Sequence, residues 1–239
     1  MSKILFFSGA GLSADSGLGV FRGGKGLWDH YDVNKVCNIH TWESNYKMVH
    51  EFYSLRRKEY GKAQPNSMHK LIADLQQKYG SQRVIVITQN IDNLLEVAGC
   101  SDVMHVHGHI NYIHCTACGH EVYINDDYKD MTCEKCGQNH FKPSIVFFGE
   151  QAPQYYHMFK SFDLLDKNDG VAVIGTEGSV VPIANILGTK QNGVKAKRLL
   201  CNLERSMYIN DMLFDEVIYE RAELSCQNVL DFATSILEK

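Results

Sequence analysis

Short apolar runs alternate with longer amphipathic stretches along this chain. Lys3–Ser8, the VIVIT stretch Val84–Thr88, Val103–His107, Ser144–Phe148, Val171–Ile174 and Arg198–Leu203 are brief and mostly unbroken by polar residues. Such runs predict strands covered on both faces, the habit of a parallel sheet. Between them, Trp42, Tyr46, Val49, Phe52 and Tyr53 recur at spacings of three and four, which predicts a helix over Thr41–Tyr60 that ends at Gln64-Pro-Asn66. Ser67–Tyr79 reads as a second helix with Leu71, Ile72 and Leu75 on its apolar side; Ile91–Val97 and Val180–Leu187 read as two more. Residues 18–40 mix Gly, Asp and aromatics without a period and read as irregular. Strands alternating with helices predict an α/β fold, a parallel sheet with helices on both faces. Residues 112–142 stand apart: polar, poor in large aliphatics, unable to build a core alone and in need of a metal staple.

Composition fits this picture. The 239 residues are 44% hydrophobic and 22% charged, ordinary for a globular chain able to bury a large core. A net charge of −4 offers no overall basic footprint for nucleic acid or anionic lipid, so neither is expected as a direct partner. No stretch reaches the roughly 18 apolar residues of a membrane span, and Ile4–Phe7 is too short for the core of a signal peptide. Of eight cysteines, four have metal-type spacing; Cys37, Cys100, Cys201 and Cys226 are scattered in or near apolar segments. Reduced thiols in a cytoplasmic protein are the expectation.

The candidate chemistry begins with Cys115-x-x-Cys118 and Cys133-x-x-Cys136, separated by fourteen residues. Each pair places two sulfurs on one turn, and two turns complete a tetrahedron around Zn2+. Redox dithiols are the competing reading; the glycines after each pair (Gly119, Gly137) and the polar setting favour a zinc ribbon. Four sulfurs close the site, so the metal is expected to be structural. His114, His120 and His140 lie near enough to be considered as substitutes.

Gly9-Ala-Gly11-Leu-Ser13-Ala14 fits G-x-G-x-x-[GA] directly after a predicted strand. Glycine there lets the backbone approach a pyrophosphate, and Ser13 and Ser16 add hydroxyl donors. A tight strand–helix turn also wants glycine, so the motif alone leaves both readings open. A second turn, Gly175-Thr-Glu-Gly178, follows Val171–Ile174, and Arg198–Leu203 ends in Asn202-Leu-Glu204, a carboxylate placed for ribose hydroxyls or simply solvated. Thr88-Gln89-Asn90-Ile91-Asp92 ends the VIVIT strand, where its polar side chains either bind a ligand or cap a helix. His105, His107 and His109 alternate and would share one face of an extended segment; only His107 precedes a glycine that would let a substrate come close.

Taken in order, Gly9 through Gly23, Thr88–Asp92, His107-Gly108, the four cysteines, Phe148-Gly-Glu150, Gly175-Thr176 and Asn202-Leu-Glu204 resemble the sirtuins, NAD-dependent protein lysine deacylases, over nearly the full chain. The resemblance implies a Rossmann-like large part (approximately 1–30, 64–111 and 144–239) and a small part made of a helical piece (31–63) and the zinc ribbon (112–143). It implies NAD and an acyl-lysine protein or peptide as reactants, attack of the acyl oxygen on the nicotinamide ribose, and nicotinamide, free lysine and O-acyl-ADP-ribose as products. His107 would be the general base, a role suited to an ordinary imidazole pKa of about 6.5, with Asn90 beside it in catalysis. The cofactor would touch Gly9, Ala10, Gly11, Ser13, Phe21, Arg22, Trp28, Gln89, Asn90, Ile91, Asp92, Gly175, Thr176, Asn202, Glu204 and Ala222. Phe21 would shield the ribose from water. Val146 and Phe147 would flank a peptide added as a strand.

Tyr53 and Arg56 are three apart, hence neighbours on one helix face. A phenol beside a guanidinium makes a carboxylate clamp. Phe52-Tyr-Ser-Leu-Arg-Arg57, together with Gly26-Leu-Trp28, resembles the class III sirtuins, which remove succinyl, malonyl and glutaryl groups; an amphipathic tyrosine with a solvated arginine is the plainer reading. Two departures from the family stand out: Glu177 where serine is usual, which would repel a pyrophosphate unless it points away, and Gly19 where a bulkier residue is common. An NAD glycohydrolase or ADP-ribosyltransferase on the same scaffold, or a non-catalytic NAD-sensing module, are the alternatives. A monomer is expected.

Overall fold

A computed structural model describes residues 1–19 and 31–239. In chain order the elements are β1 (Ile4–Ser8), α1 (Gly11–Ala14), α2 (Val33–Val36), α3 (Tyr46–Tyr60), α4 (Ser67–Tyr79), β2 (Val84–Thr88), α5 (Leu94–Ala98), β3 (Met104–His105), β4 (Gly108–Cys115), β5 (Glu121–Tyr123), β6 (Phe141–Ile145), α6 (Tyr155–Asp163), β7 (Gly170–Ile174), α7 (Ile183–Leu187), β8 (Lys197–Asn202), β9 (Glu216–Tyr219) and α8 (Cys226–Leu237).

Six strands form one sheet in the order β3-β2-β1-β7-β8-β9, all parallel. Every residue of β1 is buried, and the period of two divides them between the two faces. Ile4 and Phe6 pack with Met68, Ile72 and Leu75 of α4 and Val229 and Phe232 of α8. Leu5 and Phe7 pack with Met158 and Phe162 of α6 and Ile183 and Leu187 of α7. Each such large apolar side chain contributes about 1.5–3 kcal/mol when fully buried. The sheet is thus covered on both sides, as its unbroken apolar strands require.

A second, three-stranded antiparallel sheet has the order β5-β4-β6. Its own core is small, Ile113, Cys115, Cys133 and Phe141. Beside it, α3 buries Val49, Phe52 and Tyr53 with Trp42, Ile110, Ile145 and Phe147. Among the described residues, no helix is long and apolar enough to cross a membrane.

Helix α4 occupies the predicted range because both ends are chemically marked. Asn66 accepts from the backbone N–H of Met68 and His69 at 3.0 and 3.3 Å, His69 returns a bond to the Asn66 N–H, and Gly80 (φ +84°) ends it. Helix α3 starts at Tyr46, later than Thr41. Side chains of Ser44 and Asn45 bond the Thr41 carbonyl at 2.9 and 2.8 Å, holding residues 41–45 in turns while Trp42 still buries itself. Asp92 accepts from the Leu94 N–H at 3.1 Å, which moves the start of α5 from Ile91 to Leu94. Helix α7 starts at Ile183 because Pro182 precedes it.

The expected strand over 144–148 is displaced to Phe141–Ile145. The polar-looking Lys142 is only 3% exposed: its ammonium folds back to the Ile145 carbonyl (2.7 Å), the Glu150 carboxylate (2.9 Å) and the face of Phe147. Strand β3 is also shorter than Val103–His107, since the chain turns at Val106–His107 to enter β4. That turn carries the histidine of interest from one sheet to the other.

Candidate active site

The strand order reverses between β1 and β7, and both strands end in glycine turns at their carboxyl ends, the position where open parallel sheets bind ligands. The two turns interlock. Gly9 N–H donates to the Ile174 carbonyl at 3.0 Å and Gly11 N–H to the Gly175 carbonyl at 2.8 Å. A Cβ on Gly11 would meet Gly175 Cα at 2.7 Å, and one on Gly175 (φ +61°) would meet the Leu12 nitrogen at 2.4 Å. These glycines are therefore required by the packing of one turn on the other, a reason that neither reading of the motif gave; any approach of a pyrophosphate would add to that constraint. Asn202, at the end of β8, clamps the second turn by accepting from Thr176 N–H (3.0 Å) and donating to its carbonyl (2.9 Å). Gln89 reaches across from β2 to the Thr176 hydroxyl at 2.8 Å.

Ser13 ties the first turn to the end of β2. Its hydroxyl donates to Asp92 Oδ2 at 3.0 Å and accepts from Asn90 Nδ2 at 3.0 Å. It also meets His69 Nε2 at 3.3 Å; because His69 Nδ1 accepts from the Asn66 N–H, Nε2 carries the ring proton and donates. Ser13, His69 and Asp92 are all buried. Desolvation lowers the His69 pKa to about 4 and raises that of Asp92, so the histidine is neutral. The Ser13 hydroxyl proton is thus already engaged in a hydrogen bond to Asp92, and the hydroxyl acts as a scaffold. Ser16, by contrast, has a buried hydroxyl with no hydrogen-bond partner among the described residues.

His107 stands in the turn between β3 and β4. Its Nδ1 lies 3.1 Å from the Gln89 carbonyl, which only accepts, so Nδ1 carries the proton. Nε2 is left with its lone pair and accepts from the Tyr155 hydroxyl at 2.9 Å. Desolvation lowers the His107 pKa, opposed by the Gln89 carbonyl, leaving a neutral imidazole with a basic Nε2.

The expected sharing of one face by three histidines is corrected, because the turn at Val106–His107 breaks the alternation. His105 and His109 contact each other at 4.9 Å between ring centres, away from the partners of His107. His105 donates to the Asn90 carbonyl at 2.8 Å and to Glu96 at 2.7 Å. Burial opposes the charge on His105, but Glu96 outweighs it and raises the pKa. Gly108 (φ +84°) also has a different reason from the one expected: a Cβ would fall 2.0 Å from the Ser144 carbonyl, so glycine is set by the crossing of β4 and β6.

The four cysteines converge. Cys115 and Cys136 sulfurs are 3.5 Å apart, Cys118 and Cys133 sulfurs 3.7 Å, and all four lie within 4.8 Å of one another without a disulfide. A Zn–S bond of about 2.3 Å gives a tetrahedral edge of about 3.8 Å, so the residues present fit a structural zinc. The nearby histidines are engaged elsewhere: His114 with Ser144, His120 with Glu134 and His140 with Thr116.

Tyr53 and Arg56 lie together on α3 and are buried, at 0% and 1% exposure. Arg56 donates to Glu59 at 3.0 Å and to the Tyr60 hydroxyl. The plainer reading of a solvated arginine is therefore excluded. The Tyr53 ring stacks on Phe147 at 5.8 Å, and its hydroxyl meets the Cys37 thiol. Phe147 is itself buried, while Val146 is half-buried and bonds the His107 carbonyl through its N–H at 2.9 Å.

Ala10 precedes α1, and Ile91 is half-buried beside α3. Ala222 is buried in a short 3-10 turn after β9, and Glu204 is exposed. Glu177 is exposed and accepts from the Ser179 hydroxyl at 3.0 Å. A Cβ on Gly19 would meet nothing within 4 Å among the described residues. Phe21, Arg22, Trp28 and the Gly26-Leu-Trp28 stretch lie outside the described residues.

Comparison with known proteins agrees with this geometry. Residues 9–182 match the model of the Sir2 family. A protein from Helicobacter hepaticus named NAD-dependent protein deacylase is 42% identical over 236 residues, covering 92% of both chains. One of the same name from Campylobacter jejuni is 39% identical over 220 residues, covering 89% of this chain and 92% of its own. Among solved structures, a mutant Sir2 homologue in complex with ADP-ribose superposes with a TM-score of 0.82 at 28% identity, covering 99% of this chain and 94% of that one.

Proposed function

The chain belongs to the Sir2 family and is an NAD-dependent protein deacylase, and we propose that it favours lysines carrying acidic acyl groups, succinyl, malonyl or glutaryl, over acetyl-lysine. The observation that carries the preference is the buried pair on α3. The Tyr53 phenol, whose hydroxyl meets the Cys37 thiol, and the Arg56 guanidinium lie buried one helical turn apart, with Phe147 stacked on the phenol ring. A thiol is a weak hydrogen-bond partner, and a carboxylate is a stronger one that a hydroxyl and a guanidinium can bind together. Glu59 already pairs with Arg56 at 3.0 Å, so an acyl carboxylate would share the guanidinium with it.

In this reading Gly9–Gly11, Gly175-Thr176 and Asn202 would hold the dinucleotide at the crevice between β1 and β7, with the hydroxyl of Ser16, which has no partner among the described residues, as an added donor. NAD would supply the ribose carbon to which the acyl oxygen becomes joined as nicotinamide leaves; one water is then consumed as the lysine amine departs, so that free lysine and O-acyl-ADP-ribose accompany nicotinamide as products. The chain's own work is positioning and proton transfer. Asn90 and Asp92 are fixed through Ser13, so their side chains need little reordering when a ligand arrives. His107 offers Nε2 as the base for a ribose hydroxyl, and its tautomer is held by the Gln89 carbonyl. Cys115, Cys118, Cys133 and Cys136 would hold a zinc whose role, with four thiolates closing the site, would be to brace the small sheet.

The test is the double substitution Tyr53→Phe with Arg56→Met, assayed on succinyl-lysine and acetyl-lysine peptides. Losing a charge-assisted hydrogen bond of about 1.5–3 kcal/mol lowers the succinyl-to-acetyl ratio by roughly 10- to 100-fold. Equal loss on both substrates would defeat the acidic-acyl reading.

A further inference from the structure

The hydrogen bond from Tyr155 to His107 belongs to no role assigned so far. Nε2 is a single lone pair, and the Tyr155 hydroxyl occupies it at 2.9 Å. Tyr155 opens α6, whose other end is anchored in the core of the large sheet through Met158 and Phe162. Its ring is steadied by an edge contact with Phe159 at 6.0 Å and its N–H by the Ala152 carbonyl at 3.1 Å. Burial raises the Tyr155 pKa, so the hydroxyl stays protonated and donates.

We propose that Tyr155 is a positioning residue, a latch that holds His107 in its base-ready tautomer and must yield Nε2 to the ribose hydroxyl when the cofactor binds. The inference rests on the reading of His107 as the base. The Gln89 carbonyl fixes one side of the ring and Tyr155 the other, so the free protein keeps the imidazole from turning. One lone pair accepts one strong hydrogen bond at a time. A ribose hydroxyl that binds Nε2 therefore breaks the tyrosine bond, and the affinity observed for the cofactor is reduced by its loss.

The experiment compares the full-length zinc-loaded protein with its Tyr155→Phe variant, which keeps the ring and removes only the hydroxyl. Without cofactor, the 15N resonance of His107 Nε2 is expected to move in the variant toward that of an imidazole nitrogen free of a donor. Titration calorimetry with ADP-ribose is expected to show tighter binding by roughly 3- to 10-fold, the scale of one net hydrogen bond. In the unmodified protein, saturation with ADP-ribose is expected to shift the 13Cζ resonance of Tyr155 as its hydroxyl is released. An unchanged His107 resonance in the variant overturns the proposal, because the bond would not exist in solution. So does a changed resonance with unchanged or weaker ADP-ribose binding, because the hydroxyl would not compete. Failure of the underlying reading is seen separately: His107→Gln would retain deacylation whatever Tyr155→Phe does.

Discussion

Removing the Ser13 hydroxyl by Ser13→Ala tests whether the site is scaffolded as described. The hydroxyl is 3.0 Å from both Asp92 Oδ2 and Asn90 Nδ2 and 3.3 Å from His69 Nε2, at a residue only 2% exposed. Its loss deprives a buried carboxylate of one of the two hydrogen bonds it has among the described residues, the other coming from Leu94 N–H at 3.1 Å. A bond to a charged group contributes about 1.5–3 kcal/mol, and the stranded His69 N–H costs about 1–3 kcal/mol more. Asn90 is half-buried and recovers its bond from water. Allowing for water entering the gap, the net loss is about 2–4 kcal/mol. For a chain of this size each kcal/mol moves Tm by about 2–4 °C, so Tm falls by about 5–15 °C. Differential scanning calorimetry measures the fall, and a double-mutant cycle with Asp92→Asn isolates the Ser13–Asp92 part. A Tm within 2 °C of the unsubstituted protein (about the effect of 0.5–1 kcal/mol), or a cycle showing no coupling, would refute the scaffold.

His69 and His50 are buried and neutral, each lowered to about 4 mainly by desolvation. Their native pKa values lie below the unfolded value, so the unfolded chain binds more protons between about pH 6.5 and 4 and stability falls with acidification across that window; at about 1.36 kcal/mol per pKa unit, His69 alone accounts for about 3 kcal/mol. Urea denaturation across that range, with His69→Gln flattening the slope, checks this. Chelation of zinc is expected to release one equivalent of metal and open residues 116–140 to protease while the strands of the large sheet stay protected, because the ribbon's own core is so small; limited proteolysis read by mass spectrometry would show otherwise if the ribbon survives. Gly108→Ala should prevent accumulation of folded protein, since its Cβ meets a backbone oxygen at 2.0 Å; Gly17→Ala, with the same φ of +84° but no described residue within 4 Å of the added Cβ, should cost only about 1 kcal/mol by calorimetry. Glu177→Gln should alter NAD affinity by less than about threefold, because the carboxylate is exposed and screened.

Strands β1, β2, β7 and β8 are legible in the sequence because burial on both faces leaves continuous apolar runs. Helix α4 is legible because Asn66 and Gly80 mark its ends. The same logic misplaces β6, where a lysine buried by folding back on carbonyls looks polar in the sequence. It starts α3 too early, because Trp42 keeps the helical spacing while residues 41–45 sit in turns. The motif residues of the site were readable, and so were the four cysteines. Their supports were not: Tyr155 on His107, His69 on Ser13 and Glu96 on His105 join residues 48, 56 and 9 apart through space, with no local pattern to announce them. For His69 alone a signal existed, the Asn66-x-x-His69 spacing of a capping box. The glycines illustrate the converse, since Gly9, Gly11 and Gly108 were found by motif but are required by backbone crowding.

The central claim, that His107 serves as the base of a deacylation consuming NAD, is tested most directly by mass spectrometry of the products from a succinyl-lysine peptide and NAD. The account predicts free lysine peptide, nicotinamide and O-succinyl-ADP-ribose in equal amounts, all abolished by His107→Gln. Free ADP-ribose formed without any acyl-lysine peptide, or undiminished product from the His107 variant, would contradict it.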